Sequence, residues 1–225
     1  MELISAISTA NGTGGVAIIR LSGDNALSVA RAMFRPSEKS CKYLPNYMYA
    51  GNISGDGFTD YGFMVYFKAP KSFTGEDIVE FHCHGGVELA RGILKNTFKL
   101  GARSAERGEF TRRAFLNGKL SLASAEGMAD MINAESLALV RAGSMMYSEK
   151  LTSEVKEIQS CLKDILAEIA VEIDYPEEDG YGLDFYRTGE KLKALNAEIT
   201  RLVNSYSGGK KIKNGVTVAI CGKPN

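Results

Sequence analysis

The sequence predicts a mixed α+β domain over residues 1–118, an all-α domain of long helices over 119–212, and the first strand of a further domain over 213–225. Three observations carry this prediction. In the first part, short apolar runs bounded by glycine interleave irregularly with stretches of helical spacing. After residue 119 the strand patterns stop and long helical patterns begin. The final apolar run needs neighbouring strands to satisfy its backbone groups, so it indicates the opening of another sheet.

The composition excludes several classes of protein. The chain has 225 residues, 44% apolar and 24% charged, as in ordinary globular proteins. Its 27 basic and 27 acidic side chains cancel, so no overall basic field favours bulk nucleic-acid binding. No apolar run reaches the roughly 18 residues of a membrane helix, and the N-terminus does not resemble a secretory signal. The four cysteines show no disulfide or metal-binding spacing. We therefore expect a cytoplasmic protein without a membrane partner.

The elements of the first domain follow from local patterns. β-branched and aromatic runs between turn residues predict strands over residues 15–22, 47–53, 61–67 and 77–84. Apolar residues at helical spacing predict helices over residues 24–34, 87–100 and 110–116. Gly101 follows the second of these helices, and Asn117 with Gly118 follows the third, as expected of C-terminal stops.

The second domain is predicted from one long apolar seam. Residues 135–174 are expected to form one helix or two collinear helices. Their apolar side chains step by alternating fours and threes, through Leu151, Val155, Ile158, Leu162, Ile165 and Ile169. This heptad-like spacing indicates packing along another helix. Pro176 is expected to end the helix, and residues 188–206 are predicted to form a second amphipathic helix.

The final residues match the beginning of a phosphate-binding loop. Gly222 to Asn225 fill the first four positions of the pattern GxxxxGK[ST], and an apolar strand precedes them as that loop requires. The lysine and the Ser or Thr that hold phosphate and Mg²⁺ would follow residue 225. Lys223 occupies a variable position of the pattern and is not that lysine. Without the rest of the pattern, these four residues are typical of an ordinary turn.

Glu80 is the most informative carboxylate of the first domain. Strand alternation places it with His82 and His84 on one face, and Val79, Phe81 and Cys83 on the other. A carboxylate on a polar strand face can accept two parallel N–H donors, such as those of a pterin or guanine edge. The His-Cys-His run also permits a metal site, but the chain has only two histidines and no further evident ligand.

Residues 108–119 place a cation just beyond the stop of a short amphipathic helix. Lys119 there, and Arg20 on the first predicted strand, could both contact an anionic ligand. Each of them alone is typical of an ordinary surface cation.

Taken together, these segments resemble the MnmE (TrmE) family of tRNA-modification GTPases. The matching stretches run in order along the whole chain, at residues 10–23, 73–86, 108–119, 123–132, 173–179 and 218–225. Proteins of the family are about twice as long. The resemblance implies that the chain is the N-terminal domain, the first part of the helical domain and the opening strand of the G domain.

The resemblance also implies a cofactor and partners. The family's N-terminal domain is similar to the tetrahydrofolate-binding fold of aminomethyltransferases and forms a homodimer. Arg20, Glu80 and Lys119 match its site for 5-formyl- or 5,10-methylene-tetrahydrofolate. The full protein hydrolyses GTP with K⁺ and Mg²⁺, and Asn225 matches the asparagine that contacts nucleotide and K⁺. With an FAD-dependent partner of the MnmG type, in a hetero-oligomer, it adds a carboxymethylaminomethyl-type group to C5 of the wobble uridine of certain tRNAs.

Three departures from the family pattern affect loops, at Ala10, Arg107 and Ser121. The catalytic residues are expected in the G domain and the C-terminus, so residues 1–225 alone are not expected to hydrolyse GTP. Two alternatives stay open. The chain could be a stand-alone folate-dependent one-carbon transferase, or a dimerisation scaffold in which the three candidate residues are merely surface polar groups.

Overall fold

The structure, a computed structural model, describes residues 1–38, 42–174, 184–214, 219 and 221–222. It divides the chain into two compact units, Met1–Ser121 and Leu122–Asn225. The first unit contains strands β1 Ile4–Ile7, β2 Val16–Ser22, β3 Phe34–Pro36, β4 Met48–Ser54, β5 Thr59–Phe67, β6 Ile78–His84 and β7 Arg103–Ser104. Its helices are α1 Ala26–Met33, α2 Val87–Lys99 and α3 Glu109–Leu116. The second unit contains α4 Leu122–Ile132, α5 Leu137–Tyr147, α6 Lys150–Asp174 and α7 Phe185–Asn214.

The seven strands form one sheet in the order β3-β4-β5-β6-β2-β1-β7. Every neighbouring pair is antiparallel except β1 with β7, which is parallel. One face of the sheet carries the hydrophobic core, where Ile19, Phe81 and Met64 are fully buried and pack with the apolar sides of α1 and α2. Because side chains alternate along a strand, their neighbours Arg20 and Glu80 project from the opposite face.

The fold class predicted from the sequence is confirmed: an α+β domain precedes an all-α domain. The four predicted strands correspond to β2, β4, β5 and β6, and the three predicted helices to α1, α2 and α3. Strands β1, β3 and β7 are not among the predicted elements. These strands have four, three and two residues. So few residues show no alternation that could be told from a loop.

Two glycines bring α4 and α5 into close contact in the second unit. A Cβ added at Gly127 would lie 2.6 Å from the carbonyl oxygen of Gly143, and one added at Gly143 would lie 2.7 Å from the carbonyl oxygen of Gly127. Carbon atoms do not approach backbone oxygens so closely without a shift of the backbone. The separation of these two helices therefore depends on the absence of a side chain at both positions.

Of the two alternatives predicted for residues 135–174, one helix or two, the structure has two helices, α5 and α6. Between them Glu149 has a φ of +58°, a left-handed conformation that interrupts a right-handed helix. The row of apolar side chains predicted along α6 is buried in its middle, at Ile158 and Ile165. Toward the start of α6 it is not, because Leu151 and Val155 are 52% and 40% exposed.

Helix α7 extends beyond both ends of the prediction, which covered residues 188–206. Glycine in a helix interior costs only about 1 kcal/mol relative to alanine, so Gly208 and Gly209 do not end it. Three predictions fall outside the described residues. They are the helix stop at Pro176, the role of Asn225, and most of the apolar strand that precedes Gly222. Among the residues described, no helix combines the length and the apolar character that crossing a membrane requires.

Candidate functional site

The structure brings Arg20 and Glu80 together from positions 60 residues apart in the chain. Strands β2 and β6 are antiparallel neighbours, and their register sets Arg20 directly opposite Glu80. Directly opposed residues project from the same face of a sheet. Arg20 Nε donates a hydrogen bond of 2.7 Å to Glu80 Oε1. The core-facing neighbours Val79 and Phe81 are fully buried, as the alternation predicts.

Two phenyl rings flank the Arg20 guanidinium. Its central carbon lies 5.7 Å from the ring centroid of Phe73, in the loop between β5 and β6. It lies 5.5 Å from the ring centroid of Phe110, on α3. A guanidinium at this distance from an aromatic face is attracted to the ring quadrupole. Arg20 is thus held by a carboxylate and by aromatic rings from two other segments.

Glu80 remains ionised although it is largely buried. Burial raises the pKa of its carboxyl, but the hydrogen bond from His82 and the charge and hydrogen bond of Arg20 outweigh this and hold the pKa below its usual range. His82 Nε2 lies 3.3 Å from Glu80 Oε2, two residues further along the same face of β6. An ionised carboxylate has about four lone-pair sites. Each oxygen can therefore accept a further hydrogen bond from a ligand.

The three side chains of the His-Cys-His run have three different partners. His82 contacts Glu80, while Cys83 is buried on the core face and donates to the carbonyl of Ala17. Burial and the nearby Asp60 charge raise the pKa of the Cys83 thiol to about 11. His84 Nδ1 lies 2.7 Å from Asp60 Oδ1. Within the described part of the chain, no group of three or more His, Cys, Asp and Glu side chains is placed to hold a metal ion.

Lys119 lies in a cavity that Arg20 and Glu80 do not line. The cavity has a volume of about 760 Å³, and Lys119 lines it together with Gly75, Glu76 and Asn117 among others. Lys119 Nζ donates a 3.1 Å hydrogen bond to the carbonyl of Pro70. The structure therefore places Lys119 apart from the two residues with which the resemblance groups it.

One loop joins the two places. Gly75 has a φ of +79°, and a Cβ added to it would lie 3.3 Å from Lys119 Cγ, so the lysine stem passes over the loop here. Phe73, two residues earlier, lies at Arg20. Two residues of extended chain span at most about 7 Å. The Arg20–Glu80 pair and the Lys119 cavity are therefore at neighbouring points of the same loop.

A network of buried charges also contacts this loop, and it was not predicted from the sequence. Arg113 is 7% exposed and Glu109 2% exposed, and Arg113 Nη2 donates to Glu109 Oε1 at 3.0 Å. The available signal was their spacing of four residues at the start of the helix predicted over residues 110–116, because this spacing puts two opposite charges side by side once the helix includes Glu109. That spacing gives no sign of burial, which depends on the strands and loops around α3.

Comparison with known families and proteins agrees with this organisation. The family model described as GTP-binding protein TrmE N-terminus matches residues 3–119, and the one described as MnmE helical domain matches residues 122–217. Proteins named tRNA modification GTPase MnmE match the whole chain. Those of Acetivibrio thermocellus and Clostridioides difficile are 38% and 37% identical to it, and that of Sulfurimonas denitrificans is 40% identical.

The chain spans about half the length of these curated relatives, since the match covers 50% of each of the three. The two family models together extend from residue 3 to residue 217 and meet where the structure divides into its two units. The chain therefore belongs to the MnmE (TrmE) family of tRNA modification GTPases, with that family's N-terminal domain followed by its helical domain.

Proposed function

We propose that this chain provides the folate-binding, dimer-forming and helical parts of a tRNA modification GTPase. The complete protein would act with an FAD-dependent partner of the MnmG type and add a carboxymethylaminomethyl-type group to C5 of the wobble uridine of certain tRNAs. The name of the relatives, tRNA modification GTPase MnmE, supports the activity. A reduced folate, either 5-formyl- or 5,10-methylene-tetrahydrofolate, would bind to the first unit.

The observation that carries the folate proposal is the Arg20–Glu80 pair, joined at 2.7 Å, with two aromatic rings within 6 Å of the Arg20 guanidinium. The edge of a pterin presents a ring N–H and an amino N–H side by side, and an ionised carboxylate with free lone pairs accepts both. The remaining N–H groups of Arg20 can donate to acceptors on the pterin. Lys119 would attract the anionic carboxylates of the folate tail from the cavity at the other end of the loop.

The binding of 5-formyl-tetrahydrofolate, measured by calorimetry, tests this proposal. Lys119→Met keeps the apolar stem but removes the charge, and we expect it to weaken binding about fivefold, or about 1 kcal/mol. Lys95→Met is the matched control, because Lys95 is a lysine of α2 with an exposed side chain that pairs with Asp56 instead. It should leave the affinity unchanged. An unmodified chain that binds no reduced folate would favour the dimerisation scaffold instead.

We also propose that Gly222 to Asn225 begin the nucleotide site of the complete protein, with Asn225 contacting GTP and K⁺. The test is GTP hydrolysis with Mg²⁺ in K⁺ buffer, with residues 1–225 compared with a chain extended by its natural downstream sequence. We expect hydrolysis only by the extended chain, because phosphate affinity needs the lysine and the Ser or Thr that residues 222–225 do not supply. Hydrolysis by residues 1–225 alone would contradict this. An extended chain that binds folate but hydrolyses no GTP would favour the stand-alone transferase.

A further inference from the structure

Arg113 is the centre of a buried network that joins α3 to the loop before β6. Its Nη2 donates to Glu109 Oε1 on its own helix, at 3.0 Å. Its Nη1 donates to Glu76 Oε2 of the loop at 3.0 Å, and to the main-chain carbonyl of Glu2 at 2.9 Å. The side chains of Arg113 and Glu76 are each only 9% exposed. A single guanidinium thus fastens three separate segments of the first unit to one another.

Each carboxylate of the network also accepts hydrogen bonds from a second residue. Ser22 at the end of β2 donates to Glu76 Oε2 at 2.7 Å, and its hydroxyl lies 2.8 Å from that of Thr74. Arg103 of β7 donates to both oxygens of Glu109, at 2.8 and 3.0 Å. Every charge in the network is therefore paired, which fixes the position of the loop relative to α3 and the sheet.

The network is directly connected to the rings that flank Arg20. Phe73 immediately precedes Thr74, and Phe110 immediately follows Glu109. Asn117, just past α3, adds a hydrogen bond of 2.7 Å from its Nδ2 to the carbonyl of Thr74. The separation of the two rings, and hence the position of the guanidinium between them, is set by the segments that Arg113 fastens together.

We propose that Arg113, acting through Glu76 and Glu109, is a positioning residue of the candidate folate site: it holds Phe73 and Phe110 so that Arg20 stays paired with Glu80. This inference rests on the proposed function for its ligand, but not for its geometry. Because a buried ion-pair network contributes little net stability compared with apolar residues of the same volume, we assign this network the role of specifying the arrangement of the groups it joins.

The geometric test needs no ligand. The Nε–H proton of Arg20 is bonded to Glu80 and lies near two phenyl rings, so its NMR resonance reports the distances to both rings. Arg113→Lys keeps the charge but replaces the planar guanidinium, which bonds Glu76, Glu109 and the Glu2 carbonyl, with a single ammonium group, and we expect it to move this resonance. Ile53→Val, a core change on β4, is the control for general destabilisation and should leave the resonance in place. The resonance is assigned to Arg20 because it disappears in Arg20→Lys.

If Arg113→Lys does not fold, Ser22→Ala tests the same link, because it removes the hydroxyl that holds Glu76 without touching a charge. Thermal unfolding of each variant shows whether it remains folded under the conditions of the NMR measurement. An Arg20 resonance that stays in place in a folded Arg113→Lys or Ser22→Ala protein would overturn the proposal.

A second test measures the affinity of the chain for 5-formyl-tetrahydrofolate by calorimetry. We expect Arg113→Lys to weaken binding about fivefold, and to have less than about a twofold effect when Phe110 is already replaced by alanine. Equal effects in the two backgrounds would show that Arg113 does not act through the ring, and would overturn the proposal. If the unmodified chain binds no folate, the proposed function fails, and the Arg20 resonance alone decides the positioning role.

Discussion

Glu80 brings a negative charge to the candidate site, because its carboxyl stays ionised beside Arg20. Its place on the polar face of a strand follows from alternation, which local residues determine. Its pairing with Arg20 does not, because the register of β2 against β6 depends on contacts between segments 60 residues apart. The two aromatic rings come from two further segments. A sequence therefore identifies the residue types of this site, while only the folded chain identifies which of them meet.

Substitution of Gly75 tests how closely the loop between β5 and β6 packs on Asn117 and Lys119. Both Gly75 and Gly57 have positive φ, +79° and +85°, so alanine at either costs about 1–2 kcal/mol of strain. At Gly57 a methyl group meets nothing within 4 Å, whereas at Gly75 it meets Asn117 Cβ at 3.2 Å. We expect Gly75→Ala to destabilise the chain more than Gly57→Ala in urea denaturation. Equal losses of unfolding free energy would contradict the close packing of the loop on Asn117 and Lys119.

Glu109 makes the free energy of unfolding of the first unit depend on pH in the acid range. The hydrogen bond from Arg103 lowers the pKa of its carboxyl, burial opposes this, and the Glu106 N–H and Arg113 add to the lowering, for a pKa of about 2. A pKa depressed in the folded state contributes stability above the ordinary value of 4.5, which is lost as the pH falls toward 2.

We therefore expect the free energy of unfolding to fall more steeply over this acid range in the unmodified chain than in Glu109→Gln, which has no proton to gain. Glu88→Gln is the control, since Glu88 is an exposed residue of α2 and should retain the slope of the unmodified chain. Denaturation at a series of pH values measures all three. Identical slopes for the unmodified chain and Glu109→Gln would exclude a depressed pKa at Glu109.

At the scale of elements, the sequence predicts what depends on local patterns. Strands of seven or more residues, such as β5 and β6, show enough alternation to be recognised. β1, with four residues, is held in place by β2 on one side and β7 on the other, and neither contact is visible in its own sequence. The break between α5 and α6 at Glu149 is likewise set by a backbone conformation that glutamate rarely adopts.

The crossing of α4 and α5 gives the clearest prediction for an element. Alanine normally stabilises a helix interior by up to about 1 kcal/mol relative to glycine. At Gly127 the added carbon would lie 2.6 Å from the backbone of Gly143, so we expect Gly127→Ala to destabilise the second unit by about 1–3 kcal/mol. Gly189→Ala on α7, where nothing lies within 4 Å, should be stabilising. Stabilisation by both substitutions in thermal unfolding would contradict the close contact.

At the scale of the whole molecule, the face of the sheet opposite the core has a mixed character. It carries the Arg20–Glu80 pair and also large apolar side chains that are exposed in the single chain. Tyr61 and Phe63 of β5 are 55% and 42% exposed, and Met48 of β4 is 51% exposed. The strand registers place all of them on one surface. Contiguous exposed apolar surface is typical of association. We propose that the chain forms a homodimer and that this face is its contact surface.

Phe63→Lys should therefore shift the chain from dimer to monomer in sedimentation at roughly ten micromolar, because it places an unpaired charge in the interface. Phe115→Lys is a matched control, since Phe115 on α3 is a phenylalanine with the same 42% exposure. It should sediment like the unmodified chain. A monomeric unmodified chain, or a Phe63→Lys protein that remains dimeric, would rule out this face as the dimer surface.

The most direct test of folate recognition is the affinity of Glu80→Gln for 5-formyl-tetrahydrofolate, measured by calorimetry with Glu88→Gln as a control of identical chemistry on an exposed helix. Glutamine keeps the shape of the side chain but turns one acceptor into a donor and removes the charge that two N–H groups would bind. We predict that Glu80→Gln binds at least about tenfold more weakly, a loss of about 1.4 kcal/mol or more, and that Glu88→Gln binds normally. Unchanged affinity in a folded Glu80→Gln protein would show that the paired carboxylate is not where the pterin binds.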